Sequence, residues 1–232
     1  MAADSESRDW YRDVIASYDA VADEYANHYF HELLGKPFDC QLLTRFSQLT
    51  PEGGRIADMG CGPGHVARFL SELGVNVLGV DVSPAMVQVA RRLNPGLPFE
   101  RSDMLHLQFP ENAFAGIVAF YSLIHIEPSR IPQALAELFR VLAPGGRLLA
   151  SFHVGEGEIH RDEFLGRSVC FHASFFAVEE MSGCLAEAGF LVEEILQRAP
   201  YEFEYPSQRA YILVRKPGDL PLNNRKADPP SV

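Results

Sequence analysis

The stretch Ile56-Ala57-Asp58-Met59-Gly60-Cys61-Gly62-Pro63-Gly64 constrains this chain more than any other. Arg55 to Met59 has an apolar centre and the length of a buried parallel strand. Gly60, Gly62 and Gly64 remove side chains where the backbone must turn sharply and let a ligand come close. From His65 the pattern turns helical: Val66, Phe69, Leu70 and Leu73 share one face, and Gly74 stops the run. Strand, glycine turn and helix form the ligand-binding corner of a doubly wound α/β sheet, where N–H groups at the helix N-terminus face the ligand.

Asn76 to Val80 reads as the next strand and ends at Asp81. Asp81 follows Asp58 by roughly 20 residues, the separation at which an acidic residue reaches a ribose. Its carboxylate can accept from both ribose hydroxyls. NAD, FAD and S-adenosylmethionine all satisfy this much. The glycine spacing discriminates, because a dinucleotide fingerprint reads G-x-G-x-x-G and this run reads G-x-G-x-G. Asp58 to Gly64 resembles motif I of the class I S-adenosylmethionine-dependent methyltransferases. Gly79-Val80-Asp81-Val82-Ser83-Pro84-Ala85-Met86 resembles the motif that follows it. The resemblance spans roughly residues 18–216. It implies S-adenosylmethionine as cofactor, S-adenosylhomocysteine as product and no metal. It also implies methyl transfer to a small molecule; because the fourth and fifth strands deliver His125 and His153 toward one edge of the sheet, a polar acceptor group is expected between them, with O preferred over N or C.

Net charge is −11, which argues against a nucleic-acid substrate, because such binders carry a basic face. No apolar run approaches the ~20 residues needed to span a membrane, and the N-terminus is acidic and polar. Cys40, Cys61, Cys170 and Cys184 form no C-x-x-C pair and fit free thiols in a reducing cytoplasm. The expected partners are therefore a small-molecule substrate, with no nucleic acid and no membrane; the oligomeric state stays open.

Along the chain, residues 1–8 are expected to fray and Trp10 to Asn27 to form a helix. Tyr18-Asp19-Ala20-Val21-Ala22-Asp23-Glu24-Tyr25 resembles the Y-D-x-x-A-x-x-Y segment that precedes motif I in small-molecule methyltransferases and covers the methionine end of the cofactor. A second helix is expected over Pro37–Leu49. Strands are expected near 55–59, 76–80, 98–101, 115–120 and 146–152, with helices near 63–73, 84–93 and 130–142 between them. That alternation means a parallel sheet with right-handed crossovers. Val154 to Cys170 is polar with little periodicity and reads as a flap. A helix over Val178–Ala188 and two closing strands, Phe190–Gln197 and Arg209–Lys216, complete the pattern. The family resemblance makes the C-terminal strand antiparallel in a seven-stranded, Rossmann-like sheet. The expected organisation is one methyltransferase domain over 1–216, with a helical lid at 9–50 and a substrate-side flap at 153–176. Residues 217–232, rich in proline, asparagine and charge, are expected to be disordered.

The candidate cofactor residues are Tyr18, Tyr25, Asp58, Gly60, Cys61, Gly62, Asp81, Val82, Met86, Asp103, Met104 and Ser122. The resemblance gives Asp103 the adenine amino group, the Met104 N–H a ring nitrogen, and Ser122 the methionine portion. Asp58 orients the glycine loop or reaches the amino group. Methyl transfer needs mainly in-line positioning and water exclusion, and a base only where the nucleophile is protonated. His125, past the fourth strand, and His153, ending the fifth, are the catalytic candidates, because ligands sit beyond the carboxyl ends of parallel strands. Tyr121, His172, Tyr201 and Arg209 are the substrate-binding candidates. His153, Glu156, Glu158 and His160 match no dedicated metal motif, so no metal site is expected. One departure from the family is Phe114-Ala115-Gly116-Ile117, where many relatives carry Asp. Two other readings stay open: a catalytically silent S-adenosylmethionine- or partner-binding domain, and an NAD-dependent oxidoreductase.

Overall fold

A computed structural model describes residues 3–218. In chain order its main elements are α1 (Ala3–Tyr29), α2 (Pro37–Leu49), β1 (Arg55–Met59), α3 (His65–Glu72), β2 (Asn76–Asp81), α4 (Pro84–Leu93), β3 (Phe99–Arg101), β4 (Phe114–Phe120), α5 (Ile131–Val141), β5 (Leu142–His153), β6 (Glu158–Phe164), β7 (Arg167–Ser174), α6 (Val178–Glu187), β8 (Leu191–Arg198) and β9 (Arg209–Arg215). Seven strands form one sheet in the order β3-β2-β1-β4-β5-β9-β8. β9 runs antiparallel to both neighbours, and the other pairings are parallel. The parallel strands follow the expected alternation, and the antiparallel strand and Rossmann-like order are those the family resemblance implied.

The inner strands are continuous apolar runs because helices cover both faces. Ile56, Ala57, Met59, Leu78, Ile117 and Val118 are fully buried. One face packs under α5 and α6 through Leu135, Leu138 and Met181; the other packs under α2 and α3 through Leu43, Phe46 and Leu70. Ser83 starts α4 by accepting the Met86 N–H at 3.1 Å, with Pro84 following at the first helical position. The order of strands reverses between β1 and β4, and a crevice opens beyond the carboxyl ends of strands at such a switch point.

Three elements differ from expectation. α1 begins at Ala3, so part of the segment expected to fray is helical. β5 begins at Leu142, because Phe114 pairs with Leu142 before Pro144-Gly145-Gly146 interrupts the register and Gly116 resumes it with Arg147. The flap is a regular antiparallel hairpin, β6–β7, closed by Leu165 and Gly166 at φ 52° and 77°. Two successive left-handed residues match the right-handed twist of a two-residue hairpin turn. The tail assigned to 217–232 lies outside the described residues beyond Gly218. No described helix is long and apolar enough to cross a membrane, and all four cysteines are free thiols.

Candidate functional site

The glycine turn closes over the end of β2. The Gly60 and Cys61 N–H groups donate to the Val80 carbonyl at 2.7 and 3.0 Å. Gly60 sits at φ 75°, and a Cβ there would lie 2.3 Å from the Ser122 Cβ. Only glycine satisfies both the left-handed backbone and this close approach. Asp81 accepts the Gly62 N–H on Oδ2 at 2.8 Å and the Ser83 N–H on Oδ1 at 2.9 Å. Burial raises its carboxyl to about 6, against the pull of those backbone donors. Asp58 is buried and accepts the Ala67 N–H at 2.9 Å, tying β1 to the first turn of α3. Burial raises it to about 7. Asp58 does not line the crevice, so its position is that of a brace for the glycine loop.

Gly60, Cys61, Gly62, Asp81, Val82, Met86, Met104 and Ser122 line a crevice of about 100 Å³ with Tyr11, Tyr18 and Tyr25 from α1. The buried Ser122 Oγ has no hydrogen-bond partner among the described residues. Asp103 is not in the lining. Its Oδ1 accepts the Leu105 N–H at 2.7 Å, a local turn, and the Tyr11 hydroxyl at 2.5 Å. Ser102 and Met104 flank the crevice on either side of it.

α1 lies across the crevice. Asp19 accepts the Ser83 hydroxyl at 2.5 Å and the Ala85 N–H at 3.2 Å, docking α1 on the N-terminus of α4. Ala22 and Ala26 pack on Met86 and Val89. The Tyr18 hydroxyl meets His125 Nε2 at 2.7 Å, and His125 Nδ1 meets the His172 carbonyl at 3.0 Å. A carbonyl only accepts, so these partners assign the proton to Nδ1 and make Tyr18 the donor to Nε2. Burial lowers His125 to about 4.

A second cavity of about 400 Å³ adjoins the first and shares Tyr18, Tyr25, Glu32, Tyr121 and His125 with it. His153 and Arg209 also line it, so the two candidate catalytic histidines do face one space. His153 Nδ1 lies 2.8 Å from Ser207 Oγ, and burial followed by the Arg209 charge lowers it to about 3. Tyr121, at φ 52°, joins the Tyr211 hydroxyl at 2.8 Å, and Tyr211 donates to Asp39 at 2.8 Å. Two candidates lie elsewhere. Tyr201 accepts the Phe38 N–H at 3.2 Å and packs under the Arg198 guanidinium, outside the cavity lining. His172 contributes its carbonyl to His125, but its ring stacks on Trp10 at 4.4 Å on the far side of the hairpin.

Apart from Arg209, the charged lining escaped the sequence reading. Lys36, Glu32, Glu204 and Arg161 sit in the cavity. Lys36 bonds Glu32 at 2.7 Å and Glu204 at 3.1 Å. Burial alone would raise Glu32, but the His65 hydrogen bond and the Lys36 charge outweigh it and hold the carboxyl at about 2. Arg161 makes no ion pair among the described residues and lies over the Tyr205 ring. Only the i, i+4 spacing of Glu32 and Lys36 was available locally as a signal.

Residues 56–146 match the model of a methyltransferase domain family. The chain is 36% identical over 99 residues to a malonyl-[acyl-carrier protein] O-methyltransferase of Serratia marcescens, covering 43% of this chain and 38% of that protein. It is 31% identical over 157 residues to the O-methyltransferase cnsE of Penicillium expansum, covering 64% and 56%. The chain thus spans about half or less of the length of these curated relatives. A solved S-adenosylmethionine-dependent methyltransferase from Methanosarcina mazei superposes with a TM-score of 0.67 at 20% identity, over 74% of this chain and 96% of that one, a likeness of fold.

Proposed function

We propose, for a chain whose residues 56–146 match a methyltransferase-domain model, that it transfers a methyl group from S-adenosylmethionine to an anionic oxygen of a small molecule. The observation that carries this reading is the shared wall of Tyr18, Tyr25, Glu32, Tyr121 and His125 between a glycine-lined crevice and a larger cavity. One space suits a donor and the other an acceptor, in contact.

The residues present fit the cofactor. Gly60 and Gly62 leave backbone room, Asp81 offers acceptors to a ribose, and Val82, Met86 and Met104 give an apolar slot for a base. Ser122 Oγ, buried and unpartnered, fits a polar group of the methionine portion. At about 100 Å³ the crevice is smaller than the ~300–1,000 Å³ of drug-sized ligand sites, so α1 must shift to admit it. The Tyr11–Asp103 bond lies across that movement, and its release frees the Asp103 carboxylate for an adenine amino group.

When bound, S-adenosylmethionine supplies a sulfonium methyl that is electrophilic without further activation. The protein's part is to orient the acceptor and exclude water. His125 and His153, lowered to about 4 and about 3, are neutral at pH 7 and weak as bases. Both ring nitrogens of His125 are engaged, by Tyr18 and the His172 carbonyl, so His153, through Nε2, is the histidine that orients the acceptor by a hydrogen bond. An acceptor that arrives ionised, such as a carboxylate, needs no base, and Arg161, without an ion-pair partner, suits its charge. Incubation with methyl-labelled S-adenosylmethionine and a fractionated pool of small carboxylic acids, phenols and amines tests the reading. Label should enter a carboxylic acid as a methyl ester, and label confined to phenols overturns the ionised-acceptor reading. Label confined to amines overturns the O-acceptor assignment. S-adenosylhomocysteine binding with no labelled product supports a silent binding domain instead.

A further inference from the structure

The β6–β7 hairpin has two faces of different chemistry. Ile159, Arg161, Phe171 and Ala173 line the acceptor cavity. Strand alternation sends their neighbours His160, Cys170 and His172 to the opposite face. His160 and His172 pair across the two strands, with ring centroids 4.6 Å apart, and Cys170 precedes His172 by one pleat. One ligand atom from each of these three residues lies within 4.8 Å of the others. The Cys170 Sγ to His172 Nε2 distance is 3.3 Å. A tetrahedral zinc ion with Zn–S ~2.3 Å and Zn–N ~2.0–2.1 Å holds sulfur and nitrogen about 3.5 Å apart. The spacing thus already approaches that of a metal edge.

A fourth donor comes from another element. Asp13 on α1 brings Oδ2 to 4.0 Å from His172 Nε2. Trp10, one turn earlier on α1, stacks on the His172 ring at 4.4 Å and limits its rotation. A thiolate with two imidazoles is a borderline-soft donor set that favours zinc over magnesium or calcium. We propose that His160, Cys170 and His172, completed by Asp13, form a structural binding site for zinc(II) that fastens α1 to the flap hairpin. The ion would sit behind the cavity wall and take no part in methyl transfer. Its effect would be on the position of α1, which bounds the crevice.

Cobalt(II) tests this, because a cysteine thiolate bound to it produces a near-ultraviolet charge-transfer band that free thiols do not. The untagged, metal-stripped full chain should bind one equivalent of cobalt(II), show that band with tetrahedral visible bands, and lose both to equimolar zinc(II). Cys170→Ser should abolish the charge-transfer band, and His160→Gln should weaken cobalt(II) binding at least tenfold. Asp13→Ala should weaken it roughly tenfold. Zinc(II) should also slow hydrogen exchange in both α1 and the hairpin of the wild type, but not in Cys170→Ser. Thermal unfolding in chelator, equal for wild type and variants, checks that the substitutions leave the fold intact; should Cys170→Ser fail it, His160→Gln with the exchange measurement decides. Absence of the band at one equivalent, or its survival in Cys170→Ser, overturns the site. An unchanged affinity in Asp13→Ala overturns the fastening of α1.

Discussion

With the proposed ribose contact, Asp81 should make cofactor affinity depend on pH in a window set by its surroundings. Burial lifts its carboxyl to about 6 although the Gly62 and Ser83 N–H groups pull it down. Ribose hydroxyls donate hydrogen bonds, so they favour the ionised carboxylate, and binding is linked to proton release. At pH 5, one unit below that value, protonated carboxyls outnumber ionised ones by about ten to one, and affinity should be about tenfold weaker than at pH 8. Asp81→Asn removes the charge while keeping the shape. A hydrogen bond to a charged group contributes ~1.5–3 kcal/mol, so the variant should bind roughly 10- to 150-fold more weakly at pH 8. It should also lose the dependence between pH 5 and 8. Calorimetry with S-adenosylhomocysteine at four pH values reads both effects, with circular dichroism to confirm folding, since the new amide must face one of the two N–H donors. A wild-type affinity that is flat from pH 5 to 8, or a slope that persists in Asp81→Asn, would refute the ribose assignment.

Asp58 is likewise raised, to about 7 in the fold against 3.8 in the unfolded chain, so it favours the folded state when protonated. Its contribution should fall by about 1.4 kcal/mol per pH unit between about pH 4 and 7, and denaturant unfolding of Asp58→Asn should lack that slope relative to wild type. Asp39, fully buried between Arg198 at 2.9 Å and the Tyr211 hydroxyl, should cost ~1–3 kcal/mol when changed to Ala, because the Tyr211 hydroxyl loses its acceptor while Arg198 keeps Glu204 at 2.6 Å; urea unfolding measures this. Gly60→Ala combines a left-handed backbone with a Cβ 2.3 Å from Ser122, so a loss of at least ~2 kcal/mol and of detectable S-adenosylhomocysteine binding is expected in melting and calorimetry. Once an acceptor is identified, His153→Ala should lower turnover by ~10²-fold, while the wild-type rate at saturating S-adenosylmethionine shows no inflection between pH 5.5 and 8; an inflection there would restore a histidine base.

The sheet and the glycine corner were legible because their causes are local. A buried parallel strand needs an apolar run, a turn against Ser122 needs a glycine, and a helix start takes Ser83-Pro84, all within a few residues. Asp81 could be named because the end of β2 faces the crevice in any sheet of this order. Parity misled the reading of the flap: Arg161 at an inward position hides the alternation, so the sequence predicts a flap without strands and places His172 on the cavity side. The sequence by itself therefore determined the alternation of elements, the glycine turn and the carboxylate beside it. Only the tertiary structure decided which side chains share a space. Tyr18 reaches His125, Asp39 reaches Arg198, and Lys36 reaches Glu204 across long stretches of chain. Such pairings follow from how α1, α2 and the hairpin pack over the sheet. Local periodicity records which face of an element is buried, but not what that face meets.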